Sequence, residues 1–199
     1  MWNSDLTIVL ASNSPRRKQL IEAMDFRLET ISPSDSNEDY PADLPFEQIP
    51  IYLAQKKMHS LHYQKPLHNK VLLTADTIVF LNGKPLGKPQ NESQARQMLN
   101  DLSDNEHLVI TGCCLKTDKA EYSFSDRSLV AFAPLTEEEI SYYISKHRPF
   151  DKAGSYGIQD WIGLTGIERI EGSYYNVMGL PCQKVYQTIR NMVLRKPYE

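Results

Sequence analysis

The stretch Ile8-Val9-Leu10-Ala11-Ser12-Asn13-Ser14-Pro15-Arg16-Arg17 predicts a buried strand, a turn and the start of a helix. Ser14 is a favourable N-cap, and Pro15 suits the first helical position. Arg16 and Arg17 then fall in the first helical turn, where positive charge opposes the helix dipole. Backbone N–H groups and two guanidinium groups at one helix N-terminus suit a phosphate or polyphosphate. Two solvated surface arginines are the alternative, and this segment alone does not decide between them.

The composition predicts a globular chain with a small anionic ligand. The 199 residues, 41% hydrophobic and 10% aromatic, suit one well-buried domain or two small lobes. A formal net charge of -3 gives no overall attraction for nucleic acid, so a local cluster must bind any polyanion. The three cysteines lack the spacing of a zinc site or a disulfide scaffold, and neither a signal peptide nor a membrane-length apolar run is visible. We therefore expect a cytoplasmic protein that binds neither nucleic acid nor membrane.

The hydrophobic periodicity predicts a mixed α/β order without internal repeats. Strands are predicted over residues 6–11, 26–31, 71–80, 107–117 and 122–133. Helices are predicted over 14–24, 46–61, 93–102, from the capping box at Thr136 to Pro149, and from Pro181 onward. The strand over 71–80 is expected to be central, and the two strands after it to be antiparallel neighbours. Residues 32–45 and 151–179 are predicted to be loops.

Asp76 and Lys57 are charged residues in apolar patterns. Asp76 lies inside the apolar run 71–80, where an unpaired carboxylate would be costly, so it needs a cation, a metal or a raised pKa. Capping a turn at the strand end is the alternative for Asp76. Lys57 lies four residues from both Leu53 and Leu61, on the apolar side of its helix. It either points toward the core or a cleft, or it covers apolar surface with its aliphatic stem.

Two further segments combine lysine with glycine. Lys88 lies between Gly87 and Pro89, where a ligand-binding turn and a solvated turn are both plausible. Lys152 precedes Tyr156 and Gln159 in a glycine-containing segment that is unusually apolar for a solvent loop. A glutamine amide either pairs with a base edge or satisfies loop backbone. Acidic residues in the 32–45 loop either bind a metal or are solvated: Asp35, Glu38, Asp39 and Asp43.

Missing motifs narrow the class of enzyme. The sequence has no P-loop pattern, no dinucleotide-binding glycine pattern and no nucleophile-elbow pattern. The candidate residues that remain are the carboxylate of Asp76 and five cations: Arg16, Arg17, Lys57, Lys88 and Lys152. This combination is typical of an enzyme that acts on a polyphosphate with the help of Mg²⁺.

Several separated segments together resemble the Maf family of nucleoside triphosphate pyrophosphatases, in the order of that family: 10–17, 74–79, 87–89, 151–159 and 172–181. The form Asp-Lys-Ala-Gly-Ser-Tyr-Gly-Ile-Gln at 151–159 is similar to the subgroup that acts on dTTP and UTP. The resemblance implies a single domain over residues 1–199. It implies an α/β fold with a mixed elongated central sheet flanked by helices, and two lobes with a cleft, as in inosine triphosphate pyrophosphatases. The implied reaction is hydrolysis of dTTP and UTP to the monophosphate and pyrophosphate.

The same resemblance implies roles for particular residues. Asp76 corresponds to the proposed proton acceptor. Glu38 corresponds to the acidic residue that helps to hold the metal. Our hypothesis is that Asp76 and Glu38 together hold a divalent cation, Mg²⁺ or Mn²⁺. The resemblance associates substrate choice with Arg16, Thr77 and Gln159, and it gives basic positions at Lys57, Lys88 and Lys152. We predict that these six residues bind the substrate together with Ser12, Arg17 and Tyr156. The implied assembly is a homodimer.

Two departures and two alternatives accompany this resemblance. Asn37 replaces an acidic residue that is common just before the glutamate, and Asp160 stands where glycine is frequent. These changes bear on the metal site and on fine substrate preference. The alternatives are the same reaction on modified or other nucleoside triphosphates, and a nucleotide-binding regulator of cell division.

Overall fold

The computed structural model describes residues 5–33 and 37–194. The strands are β1 (Thr7–Ala11), β2 (Arg27–Ile31), β3 (Lys70–Leu81), β4 (Lys84–Leu86), β5 (Glu106–Lys116), β6 (Glu121–Phe132) and β7 (Ile167–Glu171). The helices are α1 (Pro15–Ala23), α2 (Ile49–His59), α3 (Glu92–Leu102), α4 (Glu137–His147), α5 (Trp161–Thr165), α6 (Tyr174–Met178) and α7 (Cys182–Leu194). Short 3-10 turns cover Phe46–Gln48 and Ala153–Ser155.

The strands form a mixed sheet in the order β2-β1-β3-β5-β6-β7, with β4 paired to β3. β1 runs parallel to both β2 and β3. β4 is antiparallel to β3, and β7 is antiparallel to β6. The predicted mixed α/β class and the interior position of the 71–80 strand are confirmed, and β5 and β6 are neighbours as expected.

The described residues divide into two compact units. One comprises 5–76 with its gap at 34–36, 111–126 and 179–194, and the other comprises 77–110 and 127–178. The chain passes from the first unit to the second within β3, after Asp76. A single functional domain over residues 1–199 stays a prediction.

Helix α2 is fixed closely to the strands of the first unit. Thr74 of β3 donates its hydroxyl to the carbonyl of Ala54, at 2.7 Å. On β5, a Cβ added to Gly112 would lie 2.3 Å from backbone atoms of Pro50 and Ile51, so only glycine lets the helix approach this closely. Apolar side chains fill the space between helix and strands: Val9, Ala54, Met58, Leu72 and Cys114. This packing sets the direction of every side chain on α2.

The core of the second unit lies between its sheet, α3, α4 and the 153–162 segment. Leu99, Ile140 and Tyr143 are fully buried there. The Thr136 capping box is present at the start of α4, as the sequence predicts, with Thr136 and Glu139 bonded reciprocally. Arg96 of α3 also donates to Glu137 of α4 at 2.8 Å. The capping box fixes the start of α4, and the Arg96 contact holds α4 against α3.

The prediction that residues 151–179 are a loop is wrong. That stretch contains a 3-10 turn, α5, β7 and α6. Each element spans only three to five residues, too few for a periodic pattern to stand out between glycines. β7 forms because Ile170 pairs with Val130 on the edge of β6. The three-residue β4 also escaped prediction, because Pro85 lies inside it.

Over the described ranges 5–33 and 37–194, no helix is long and apolar enough to cross a membrane.

Candidate functional site

The turn between β1 and α1 is built around Arg17. Ser14 caps α1 by accepting from the Arg17 backbone N–H at 3.5 Å, and Pro15 begins the helix, as the sequence predicts. The Arg17 guanidinium donates to the carbonyl of Gly179 at 2.8 Å and to that of Ala75 at 3.0 Å. Burial lowers the pKa of Arg17, and the nearby Asp76 carboxylate opposes that shift. Arg17 therefore anchors the turn beside the strand position that precedes Asp76.

Ser12 and Arg16 lie in the same turn. The Ser12 hydroxyl accepts from the Ser14 N–H at 3.2 Å and from the Arg17 guanidinium at 3.3 Å. Ser12 and Arg16 are both half-buried, and the first turn of α1 contains no acidic residue. The helix N-terminus thus brings together N–H groups and positive charge, the combination that binds anions.

Asp76 and Lys57 form an ion pair in the first unit. Their side chains are 10% and 15% exposed, and the Lys57 ammonium contacts Asp76 Oδ1 directly. Lys57 points inward, one of the two alternatives that its helical spacing left open, and its neighbours Ala54 and Met58 on α2 are in the core. The same ammonium lies 3.3 Å from Glu38 Oε1, whose side chain is 62% exposed. One lysine therefore brings a buried and an exposed carboxylate to a common point.

The 37–39 segment is held on α2 by Lys56. The Lys56 ammonium donates to Asn37 Oδ1 and to the carbonyl oxygen of Asp39, both at 2.8 Å. Asn37, the departure noted in the sequence, thus accepts a hydrogen bond that places Glu38 beside Lys57. Asp35 lies outside the described residues, and Asp43 is exposed.

The Asp76 and Glu38 carboxylates fit a divalent cation of the Mg²⁺ type. Carboxylate oxygens are the hard donors that Mg²⁺ and Mn²⁺ prefer, and Mg²⁺ often takes one or two carboxylates together with waters and phosphate oxygens. Within the described ranges, no three His, Cys, Asp or Glu side chains form a closed metal cage. Asp76 and Glu38 would each offer a ligand to such a cation, together with phosphate oxygens and water.

In the second unit, residues 151–160 hold Lys152 and Gln159. The Lys152 ammonium lies 2.9 Å from Asp151 Oδ1 and 3.6 Å from Asp160 Oδ2, and its side chain is 12% exposed. Gln159 Oε1 is buried and accepts no hydrogen bond from the part of the chain that the structure describes. A buried acceptor of this kind needs a donor, and a ligand could supply it.

Tyr156 lies in the core of the second unit. The residue is 6% exposed, and its ring makes edge contacts with Phe132 and His107. Its hydroxyl lies 2.7 Å from His107 Nε2, and burial raises the pKa of Tyr156. These contacts make the ring a support for the segment, and direct contact between Tyr156 and a base stays a prediction.

Lys88 and Thr77 complete the set of predicted residues. Lys88 is exposed, and the preceding Gly87 accepts from the Gly154 N–H at 3.1 Å, so the Lys88 turn is joined to the 151–160 segment. Thr77 is half-buried and directly follows Asp76 in β3.

Comparison with known proteins decides the family. The family model described as Maf-like protein matches residues 7–192. The chain belongs to the Maf family.

Relatives of this Maf chain align over nearly its whole length. A protein of Phocaeicola vulgatus named dTTP/UTP pyrophosphatase is 50% identical over 186 residues, 93% of this chain and 95% of that protein. One of the same name from Porphyromonas gingivalis strain W83 is 48% identical, with 92% and 93% covered. Among solved structures, a HAM1 protein from Coxiella burnetii shows partial likeness, with 17% identity, a TM-score of 0.40, and 65% of this chain and 74% of that chain covered.

Sequence reasoning missed residues that hold the two segments in which predicted site residues lie. Lys56, His107 and Tyr143 contact the 37–39 or 151–160 segment through side-chain hydrogen bonds. No short motif contains them, because each is far in sequence from its partner. The buried position of His107 within an apolar strand is the one local signal that could have marked it.

We expect His107 to make the stability of this Maf protein depend on pH. Burial lowers the pKa of His107 from 6.5 to about 4, and its Nδ1 atom has no partner among residues 5–33 and 37–194. Between about pH 6.5 and 4, His107 binds a proton in the unfolded chain but not in the folded chain. We expect the free energy of unfolding to fall by about 3 kcal/mol as the pH drops through this window toward 4.

Urea unfolding of the wild type and His107→Gln, at about pH 7 and about pH 5, measures this effect. The glutamine variant should lose less stability between the two pH values than the wild type does. His62→Gln, at an exposed position, is the control and should behave like the wild type. Equal losses in wild type and His107→Gln would contradict the assignment.

Proposed function

We propose that this Maf protein hydrolyses dTTP and UTP to the nucleoside monophosphate and pyrophosphate, with Mg²⁺ or Mn²⁺. The observation that carries the proposal is the contact of the Lys57 ammonium with both Asp76 and Glu38. The same unit contains α1, whose first turn carries Arg16 and Arg17. Near-full-length similarity to relatives named dTTP/UTP pyrophosphatase supports the substrate assignment.

Positive charge on this chain binds and orients the triphosphate. Arg16 and the N-terminus of α1 present donors to phosphate oxygens, and Arg17 holds that turn in place through backbone carbonyls. The Lys57 ammonium is proposed to contact the reacting phosphates. The further predicted contacts with the substrate are Ser12, Thr77, Lys88 and Lys152. Fixed donors of this kind stabilise the negative charge that develops in phosphoryl transfer.

Asp76 handles the proton of the attacking water. Its carboxylate contacts the Lys57 ammonium directly, and a carboxylate oxygen is the group that accepts the proton. Water attacks the α-phosphorus, the bond from that phosphorus to the bridging oxygen breaks, and pyrophosphate leaves. A divalent cation bound by Asp76 and Glu38 would neutralise phosphate oxygens during this step. Because a carboxylate has two oxygens, Asp76 can serve both the cation and the water.

Pyrophosphate release across a panel of nucleoside triphosphates tests the proposal. The panel contains dTTP, UTP, dCTP, CTP, ATP, GTP and modified pyrimidine triphosphates, each with Mg²⁺, with Mn²⁺ and with chelator. We expect fastest release from dTTP and UTP and none with chelator. Fastest turnover of a modified nucleotide would reassign the substrate. Nucleotide binding without pyrophosphate release would reject the enzyme and favour a regulatory binder.

Gln159 is proposed to select the base. Its amide carries both a donor and an acceptor, and Oε1 is buried without a partner in the described ranges. Gln159→Glu removes the donor, so we expect the preference for dTTP over dCTP, as a ratio of kcat/KM, to fall about tenfold or more while the metal requirement stays. Gln90→Glu makes the same change at an exposed position and should leave the ratio unchanged. A wild-type ratio in Gln159→Glu would remove this residue from base selection.

A homodimer and a cytoplasmic location complete the proposal. Sedimentation at assay concentration tests the dimer, and a monomer of full activity would refute it.

A further inference from the structure

Asp160 joins helix α4 to the segment that carries Gln159. The buried Tyr143 hydroxyl donates to Asp160 Oδ2 at 2.8 Å and accepts from the Gly157 N–H at 3.1 Å. Burial and the Asp160 carboxylate raise the pKa of Tyr143, so the hydroxyl keeps the proton that it donates. Because α4 also packs in the core, this pair of hydrogen bonds fixes the segment to a rigid element.

The turn itself closes tightly on the Asp160 side chain. The Asp160 N–H donates to the carbonyl of Gly157 at 3.0 Å, with Gln159 inside the turn. A Cβ added to Gly157 would lie 2.6 Å from Asp160 Oδ2 and 3.0 Å from a stem carbon of Lys152. A side chain at position 157 would therefore displace the Asp160 carboxylate from its present position.

Lys152 is held between two carboxylates, Asp151 at 2.9 Å and Asp160 at 3.6 Å. Two anions beside one cation leave the cluster with net negative charge, which repels a triphosphate. The Asp151 side chain is 58% exposed and that of Asp160 only 18%, so solvent weakens the first contact more than the second. Lys152 is therefore better placed as a fixed hydrogen-bond donor than as a neutralising charge.

We propose that Asp160 is a positioning residue for base recognition, fixing the Lys152 ammonium and the turn that carries Gln159. The inference rests on the proposed function and adds to it a residue outside the substrate contacts. It also changes the expected role of Lys152, from neutralising phosphate to donating one oriented hydrogen bond.

Asp160→Asn tests the proposal because a positioning role predicts a higher KM and electrostatic repulsion of the substrate predicts a lower KM. The amide keeps an acceptor for Tyr143 but loses the charge that holds Lys152. We expect KM for the best triphosphate substrate to rise about tenfold, and the dTTP over dCTP preference to fall, with kcat within about twofold of wild type. If the carboxylate acted only by repelling the substrate, KM would fall instead.

Asp151→Asn is the matched comparison, since it removes the other carboxylate on the same ammonium, and we expect a smaller rise in KM than in Asp160→Asn because solvent already weakens this contact. Tyr143→Phe keeps the ring and removes the hydroxyl, so it should shift KM and base preference in the same direction as Asp160→Asn. Thermal unfolding of each variant accompanies the kinetics, because a purely structural role would lower Tm and the active fraction at unchanged KM.

An unchanged or lower KM in Asp160→Asn, with an active wild type, would overturn this inference alone. A wild type that releases pyrophosphate from no triphosphate would overturn the proposed function and the inference together.

Discussion

We expect Asp76→Asn to lower kcat for dTTP by about a thousandfold, because a carboxamide neither accepts the proton of the attacking water nor holds a cation as a carboxylate does. The substitution keeps the size of the side chain, and the Lys57 ammonium retains an oxygen to contact. Fold and nucleotide affinity should therefore change much less than turnover. Steady-state pyrophosphate release, with nucleotide binding measured separately, distinguishes these quantities.

Asp126→Asn is the matched control. Asp126 is also a largely buried carboxylate of the first unit, 16% exposed, and it contacts the Lys184 ammonium at 2.6 Å. It has no predicted part in the reaction, so its variant should keep kcat within about threefold. Equal losses in both variants would mean that Asp76 acts through stability, and wild-type turnover in Asp76→Asn would refute its assignment.

The second large effect is expected at Arg17. Arg17→Lys keeps the charge but replaces the planar guanidinium with a single ammonium, which cannot reach the Gly179 and Ala75 carbonyls and the Ser12 hydroxyl in the same geometry. Because Gly179 and Ala75 are buried, the free energy of unfolding should fall by about 2–3 kcal/mol. The turn would also shift beside Asp76, so we expect kcat/KM to fall about a hundredfold.

Arg27→Lys serves as the control for this change. Arg27 is exposed and donates to Asp5 at 3.2 Å, a contact that should contribute little. Urea unfolding and kcat/KM are measured for both variants. If Arg17→Lys kept wild-type stability and lost only affinity for the triphosphate, Arg17 would be a direct phosphate ligand and not the anchor of the turn.

The first helix and Arg17 show which features local sequence patterns can predict and which they cannot. The start of α1 follows from Ser14 and Pro15, because capping depends on residues within one helical turn. Helical spacing placed Lys57 on the apolar side of its helix but left its direction open, and the contact with Asp76 decides it. The anchoring by Arg17 does not follow from a local pattern, since its carbonyl partners are 58 and 162 positions away and only the folded sheet brings them close.

In the 151–179 region, local sequence patterns did not predict the secondary structure. Its glycines and short elements lack periodicity, so strand β7 was missed, although its pairing with β6 is regular over most of its length. Tyr156 was predicted to bind substrate, and its burial against His107 could not be foreseen from a segment rich in glycine. The Asp160 contact with Tyr143 likewise depends on α4, a separate element.

Hydrolysis of dTTP in water enriched with ¹⁸O tests the central claim most directly. Attack on the α-phosphorus predicts one ¹⁸O atom in the dTMP product and none in pyrophosphate, as read by mass spectrometry of both products. Label in pyrophosphate, or release of dTDP and orthophosphate, would place the attack on another phosphorus and contradict the account.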